Sequence, residues 1–439
     1  MKQREKLSKE SYKGTRDFYP EDMAVRKYIF STMRKAVEKF GYVEYDASMI
    51  EETGLYRAKS GEEIVNEQTY SFKDRGGRDV TIRPEMTPTV ARMIAKKRKE
   101  LSFPLRWYSI PNLFRYERPQ KGRLREHWQL NVDMFGVDSI SADVEMIAVP
   151  YAIMNEFGAQ NDQFVIKVND RRITNFFLSE YLGMNETEAH DLSKLIDKKE
   201  KMPEGEFFLS AQEILGEQTE KFVAFLNIKD ITALPEEFSG YETVKSLAEI
   251  IDSLADRGIT NVVYDPSIMR GFDYYTGVVF EVFDTSSENN RSMFGGGRYD
   301  DLVGIFDVEK VSAIGFGAGD VIILDFLKTH NLIPGKILSV VDLCLCVFEK
   351  KYERVAQELA DHLRKEGLNV SVDISERKIA SQIKTADKQD VKYIICIGED
   401  EVQTGKYKLK DMDSREEKEV AKEEIVRNME VNNEQTRKL

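Results

Sequence analysis

Cysteine is scarce in this chain, with three residues in 439: Cys344, Cys346 and Cys396. That scarcity excludes a scaffold held by several disulfides. Cys344 and Cys346 sit in the apolar run VVDLCLCVF, without CxxC spacing and without a nearby histidine. They read as small buried hydrophobes of a reduced compartment. Histidine is nearly as rare, and His127, His190, His330 and His362 offer no zinc-site spacing, so no protein metal site is expected. No apolar run approaches the roughly 18 residues of a membrane span. The opening MKQREKLSKESYKG carries basic residues without the apolar core of a secretory signal. The expectation is a cytoplasmic protein without a membrane partner. Internal repeats and low-complexity tracts are absent too. So is a basic excess: the net charge is -13, whereas nucleic-acid binders usually carry surplus positive charge. Any RNA contact must rest on local basic patches.

What is present is a large apolar reserve, 41% hydrophobic and 10% aromatic, enough for two or three domains. Residues 22–40 predict an amphipathic helix, with Val25, Tyr28, Ile29, Met33, Ala36, Val37 and Phe40 on one stripe and Gly41 as the stop. Strand-like runs follow: YSFKD, DVTIRP, PLRWYSIPNLFRYE, HWQLNVDMFG, TGVVFEVFD and SAIGFGAG. Few helices separate them, which predicts an α+β domain on a large antiparallel sheet over residues 1–330. Helical, charge-rich periodicity over about 165–262 predicts a small helical insertion. A Pro/Gly break in 331–338 opens a C-terminal α/β domain, 339–439, with alternating elements and a mostly parallel sheet. Its basic and acidic side chains nearly balance. The final VNNEQTRKL reads as a frayed end.

Five stretches could carry chemistry. FRYERPQKGRLREHWQLNVDMFG (114–136) holds Arg115, Arg118, Lys121, Arg123 and Arg125 around Gly122, between strand-like flanks. A hairpin with a basic loop is the physical reading. A solvated charged loop is the plainer one, but arginine on a core strand needs an anion, and phosphate suits it. In TIRPEMTP (81–88), Glu85 ends an apolar strand, where it can meet an ammonium group, or serve as a helix N-terminal acid with Thr87 as cap. In IMRGFDYYTGVVFEVF (268–283), Arg270 and Asp273 lead into Tyr274 and Tyr275, which either line a pocket or split between core and surface. FGGGRYDDL (294–302) and AIGFGAGD (313–320) follow. Gly315, Gly317 and Gly319 alternate, so one strand face lacks side chains, either for a flat ligand or for tight packing. The spacing is not that of a dinucleotide fingerprint.

In this order the motifs resemble the histidyl-tRNA synthetase family, over nearly the whole chain. KGTRDFYPED (13–22) resembles its N-terminal segment, and the helix with GYVEYDASMIEE (41–52) resembles class II motif 1. FRYERPQKGRLREHWQL is similar to its motif 2; MRGFDYYTGVVFE and GGGRYDDLV are similar to its two histidine signatures; IKVNDRRI (166–173) is similar to the start of its insertion. VKYIICIGEDEVQTGKYKLKDM resembles its anticodon-binding domain.

The resemblance implies ATP-dependent ligation of L-histidine to tRNA(His) through a histidyl-adenylate. Arg115 would hold the α-phosphate, and Arg270 would supply the second fixed charge, where related enzymes use a metal ion. Glu117, Arg123, Gly315, Gly317 and Gly319 would complete the ATP site, with Mg2+ on the β- and γ-phosphates. Glu85 and Gln129 would take the α-amino group, with Thr87 nearby. Tyr274, Tyr275, Tyr299 and Asp133 would surround the imidazole, Asp133 standing where relatives usually carry glutamate. Gln120, Arg118 and Lys121 would meet the tRNA acceptor stem. The family also implies a homodimer. No editing domain is expected, because a site of polar partners rejects amino acids that leave them unpaired.

Two positions depart from the family pattern. Ile322 stands where motif 3 carries an arginine that packs on adenine and touches the γ-phosphate, and YDASM stands where motif 1 carries a proline. Arg123 could take part of the missing load. A non-catalytic relative, the histidine-sensing regulatory subunit of ATP phosphoribosyltransferase, shares the fold, and Ile322 speaks for it. Arg115, Glu85, Arg270, the full basic loop and the C-terminal domain speak against it.

Overall fold

A computed structural model describes residues 8–57, 68–199, 202–238, 240–269, 275–289, 291–335 and 339–429. The chain forms two compact units, residues 1–333 and 334–439. Among the described residues no helix is long and apolar enough to cross a membrane.

The first unit opens with the helix Pro20–Glu38, one turn earlier than the apolar stripe begins. Pro20 fits the first helical position, where its missing N–H is no loss. Asp22 accepts a hydrogen bond from the Tyr19 amide at 3.2 Å. Ile29, Met33, Ala36 and Val37 are buried at the predicted spacing, and Gly41 takes the left-handed conformation that ends the helix.

The strands are β1 (Val43–Glu44), β2 (Ile50–Glu52), β3 (Tyr70–Lys73), β4 (Asp79–Ile82), β5 (Leu105–Ser109), β6 (Asn112–Phe114) and β7 (Glu126–Phe135). After them come β8 (Phe164–Asp170), β9 (Val262–Tyr264), β10 (Val278–Asp284), β11 (Ser292–Arg298) and β12 (Ala313–Gly319). Among the described residues, nine strands form the main sheet in the order β1-β5-β7-β12-β11-β10-β8-β9, with β6 pairing β7. The pairings are antiparallel except at the two edges, β1 with β5 and β8 with β9. β2, β4 and β3 make a separate three-stranded sheet, so YSFKD and DVTIRP lie outside the large one.

The helical insertion needs a boundary correction. Residues 164–170 pair along their whole length with β10, so IKVND is sheet and the helices begin at Arg171. Phe177 stacks on Phe225 at 3.8 Å between ring centroids, and Phe238 packs beside both. These rings give the insertion its own aromatic centre.

One face of the main sheet is largely apolar. Leu130, Val132, Met134, Ile314, Phe316, Phe280 and Val282 alternate along their strands and pack with the helices Pro20–Glu38 and Ile140–Glu156. Arg298 ties β11 to the second of these helices. Its guanidinium meets Asp143 through two bonds, 3.0 and 2.8 Å, and also donates to Ser312, Val137 and Ser139. Both partners are buried. Arg298→Leu leaves Asp143 buried without its cation and should cost about 3–5 kcal/mol. Chemical denaturation would register it, and a change below about 1 kcal/mol would contradict this role.

The second unit contains β13 (Leu343–Val347), β14 (Val370–Val372), β15 (Tyr393–Ile397), β16 (Lys406–Asp411) and β17 (Glu417–Ala421), in the order β14-β13-β15-β16-β17. The first three are parallel, but β16 and β17 are antiparallel, so the sheet is mixed rather than mostly parallel. Leu343, Leu345 and Val347 meet the helix Glu353–Lys365 on one face. Cys344 and Cys346 meet Ala386 of the helix Ile379–Lys388 on the other, as free thiols in a core. The segment VNNEQTRKL lies outside the described residues.

Candidate active site

On the opposite face of the main sheet, β11 and β12 carry glycines in place of larger side chains. Gly297 lies beside Gly315 and Gly295 beside Gly317 in the β11–β12 register. On the other side of β12, β7 sets Asp133 against Gly315, Asn131 against Gly317 and Gln129 against Gly319. The vacated space is used by neighbours. A Cβ on Gly315 would lie 2.3 Å from Asp133 Oδ1 and 3.0 Å from the Tyr299 hydroxyl. On Gly317 it would lie 2.6 Å from Gln129 Nε2, and on Gly297 2.9 Å from a Tyr275 ring carbon. The glycines let polar and aromatic side chains lie down over the strands, which a Cβ would forbid. Gly296 faces the apolar side and is explained by tight packing, since a Cβ would meet Phe316 at 2.5 Å. Nothing lies within 4 Å of a Cβ placed on Gly319.

Asp133 is 4% exposed and accepts a hydrogen bond from the Tyr299 hydroxyl. Burial pushes its carboxyl up to about 7, against the opposing effect of the tyrosine bond. Asp133 and Tyr299 thus form a buried unit that can take up or release a proton near neutrality.

Glu85 is buried, just ahead of a helix that packs on the same face. The helix it leads into, Thr87–Lys97, packs Val90, Ala91 and Ile94 against Tyr275, Tyr299 and Phe135. Thr87 is the first helical residue, and Met86 occupies the cap position without a side-chain bond, so the capping role expected of Thr87 is not seen. Its local position follows from Pro88, which suits the first turn.

The basic segment is a hairpin, as its turn glycine predicts. β6 pairs β7 antiparallel, the Arg115 amide donates to Arg125 at 2.9 Å, and Gln120 and Arg123 close the tip around Gly122 at φ +73°. Arg115 Nε donates to the Pro84 carbonyl at 3.0 Å, which places this guanidinium next to Glu85. The cationic character of the region shows at His127. Burial first, then Arg115 and Arg16, push its imidazole down to about 3. Glu117 is paired with Arg123 at 2.8 Å, off the hydrogen-bond axis, so that Oε2 of Glu117 has no hydrogen-bond donor among the described residues. Arg123 is therefore already committed to a carboxylate. Arg125 is structural, donating to the Glu117 carbonyl and the Tyr12 hydroxyl.

Gln129, Asp133, Tyr275 and Tyr299 come together over the glycines, while Arg118, Gln120 and Lys121 lie on the exposed hairpin tip. Lys121 Nζ donates to the Glu288 carbonyl at 3.0 Å. Arg270 and Tyr274 lie outside the described residues. Sequence reasoning missed Arg291, which borders Gly122 together with Ile322. Its signal was present: it is the basic residue just ahead of the glycine strand, in ENNRSMF.

Residues 14–319 match the family model described as histidyl-tRNA synthetase, and 341–432 match an anticodon binding domain. A histidine–tRNA ligase of Leptospira biflexa is 44% identical over 420 residues, covering 94% of this chain and 95% of the relative. One from Thermoplasma volcanium is 37% identical, with 95% and 97% covered. Among solved structures, the histidyl-tRNA synthetase from Nostoc sp. PCC 7120 superposes with a TM-score of 0.79 at 26% identity, covering 96% of this chain and 100% of that one. An ATP phosphoribosyltransferase regulatory subunit/histidyl-tRNA synthetase from Bacillus halodurans shares the fold, with a TM-score of 0.73 at 24% identity and 90% of this chain covered.

Proposed function

The chain belongs to the histidyl-tRNA synthetase family, and we propose that it joins L-histidine to tRNA(His) in two steps at the glycine-floored face. In the first, the histidine carboxylate attacks the α-phosphorus of ATP; the bond to the bridging oxygen breaks and pyrophosphate leaves. In the second, a ribose hydroxyl at the tRNA 3′ end attacks the carbonyl carbon of the adenylate, and AMP leaves. Neither step needs a protein nucleophile. Both need alignment and fixed positive charge around phosphorus.

The observation that carries this reading is the buried Asp133–Tyr299 unit lying over Gly315. Imidazole offers one N–H and one ring nitrogen acceptor; the carboxylate can take the N–H, and the phenol can answer the ring nitrogen by turning its O–H away from Asp133. Tyr275 flanks the same floor. Glu85 and Gln129 supply the polar atoms for the α-ammonium group, with Thr87 at the helix entrance. Arg115, held at Pro84 next to Glu85, faces the α-phosphate. Arg270 supplies the second charge by family likeness. Glu117, with an undonated oxygen, takes an amino hydrogen of adenine, and Gly315, Gly317 and Gly319 leave room for the nucleotide. ATP enters as its Mg2+ complex. The ion comes with the substrate, on its β- and γ-phosphates.

Arg118, Gln120 and Lys121 project from the hairpin tip toward the acceptor stem, and residues 339–439 take the anticodon. The motif 1 region leaves Val43, Met49 and Ile50 exposed, apolar surface suited to a second copy in a homodimer. The working place is the cytoplasm, where the three free thiols stay reduced. The sensor reading is the weaker one. Both curated relatives above are ligases, and the resemblance to the regulatory-subunit structure extends to the fold alone. Charging of tRNA(His) with radiolabelled histidine tests the proposal. Acid-precipitable histidine should depend on ATP, and its absence with folded protein and intact tRNA would overturn it.

A pH dependence follows from Asp133. Above about 7 it is a carboxylate that accepts the imidazole N–H; below, it is a neutral acid and that acceptor is lost. The KM for histidine should therefore rise as pH falls through about 7, and Asp133→Asn should remove this part of the profile. The sign for stability is separate. The fold raises this pKa from 3.8, so native stability declines on this group's account as pH rises from 3.8 to about 7. A histidine KM whose pH profile is the same in Asp133→Asn would contradict the role.

A further inference from the structure

We infer that Arg291 binds the polyphosphate of ATP, in place of the arginine that the family pattern puts at position 322. The inference rests on the proposed ATP site and names a residue of it that no motif marks.

Three observations converge. The first is position. A Cβ on Gly122, at the turn of the basic hairpin, would lie 2.9 Å from Arg291 Cδ, 3.4 Å from its Nε and 3.6 Å from Ile322 Cγ1. Arg291 and Ile322 therefore border the same point of the hairpin, although one precedes β11 and the other lies on the helix Asp320–Thr329. A guanidinium absent from the helix is supplied from the neighbouring strand.

The second is commitment. Among the described residues Arg291 makes no ion pair and no hydrogen bond, whereas Arg115 is tied to Pro84, Arg123 to Glu117 and Arg125 to Tyr12. A guanidinium presents five donors and is costly to hold away from water without an acceptor.

The third is electrostatic. Arg291 is half-buried, and its pKa is lowered, by burial first and then by Arg123, with Glu117 acting in the opposite direction. Two guanidiniums within electrostatic reach of each other, with a single carboxylate acting against their repulsion, gain from an added anion. The hairpin is also strapped to this segment, since Lys121 Nζ donates to the Glu288 carbonyl at 3.0 Å. Arg291 and the hairpin cations thus face a polyanion as a unit. A triphosphate offers enough oxygens to serve several of them, and the geometry suits a nucleoside triphosphate better than a single carboxylate.

The test uses the full chain and two variants, Arg291→Gln and Arg291→Lys, with a rescue variant carrying both Arg291→Gln and Ile322→Arg. Two readouts are taken: KM values in histidine-dependent ATP–pyrophosphate exchange, and equilibrium ATP affinity by isothermal titration. Arg291→Gln should weaken ATP in both readouts by roughly 10- to 100-fold, the range for a lost charge-assisted contact, with the histidine KM within about twofold. Arg291→Lys should fall between, and Ile322→Arg should restore much of the ATP affinity. Unchanged ATP affinity in a folded Arg291→Gln protein would overturn the proposal. So would an equal loss for histidine and ATP without rescue, which marks a merely structural residue. If the unmutated chain binds ATP but exchanges no pyrophosphate with histidine, the amino-acid reading fails, while the titration arm still decides the role of Arg291.

Discussion

Gly315→Ala should lower histidine-dependent pyrophosphate exchange by about 100-fold, the scale on which a displacement near 1 Å disables an aligned reaction. One methyl group is enough because the space is already taken. It would stand 2.3 Å from Asp133 Oδ1, 2.6 Å from the Val132 carbonyl oxygen and 3.0 Å from the Tyr299 hydroxyl. The carbonyl belongs to the paired strand and cannot step aside, so the Asp133 side chain must rotate or β12 must move. Either shift breaks the unit proposed to read the imidazole. The sheet should survive, because its opposite face keeps its apolar packing. Exchange rates with near-ultraviolet circular dichroism as a folding control check this. Activity within a few-fold of the unmutated chain would mean that the glycine floor is packing and nothing more.

The second large effect is expected at Arg115. Arg115→Ala should reduce the first-order rate of adenylate formation by about 100- to 1,000-fold, the usual cost of removing one preorganised donor from a developing charge. Folding should change little. Among the described residues its guanidinium makes one hydrogen bond, to the Pro84 carbonyl, and it is only half-buried. Arg115→Lys keeps the charge but loses the planar fork, and should recover only part of the rate. Single-turnover quench measurements separate this loss from ATP binding, which Arg123 and Arg291 would still support. A loss confined to KM, with the rate intact, would contradict the role given to Arg115.

How much of this was legible in the sequence depends on range. Local periodicity located the first helix and β5, β6, β7, β10 and β12, because the alternation of apolar residues and the position of Gly41 and Gly122 act over a few residues. The alternation of Gly315, Gly317 and Gly319 announced an emptied face. Which side chains fill it was legible only through the family resemblance, since periodicity does not give the register between β7 and β12, more than 170 residues apart. Partner choice escaped for the same reason: Tyr70–Lys73 and Asp79–Ile82 look like the other strands but pair in their own small sheet. Phe164–Asp170 was assigned to the insertion because helical, charged sequence follows it directly; only its pairing with β10 puts it in the main sheet. Arg298 sits inside a motif resembling a histidine signature, yet its donors are spent on Asp143, Ser312 and two carbonyls. Arg291 was invisible for the opposite reason. It belongs to no motif, and only the closure of the hairpin on β11 brings it to Ile322.

Whether this site activates histidine separates a ligase from a sensor. The most direct measurement is ATP–pyrophosphate exchange by the purified full chain, run with each standard amino acid in turn and without tRNA. Exchange with histidine alone, lowered about 100-fold or more by Gly315→Ala and by Arg115→Ala, is the predicted result. Absence of exchange from a chain that still binds histidine by titration would contradict it, and would return the fold to the sensor reading.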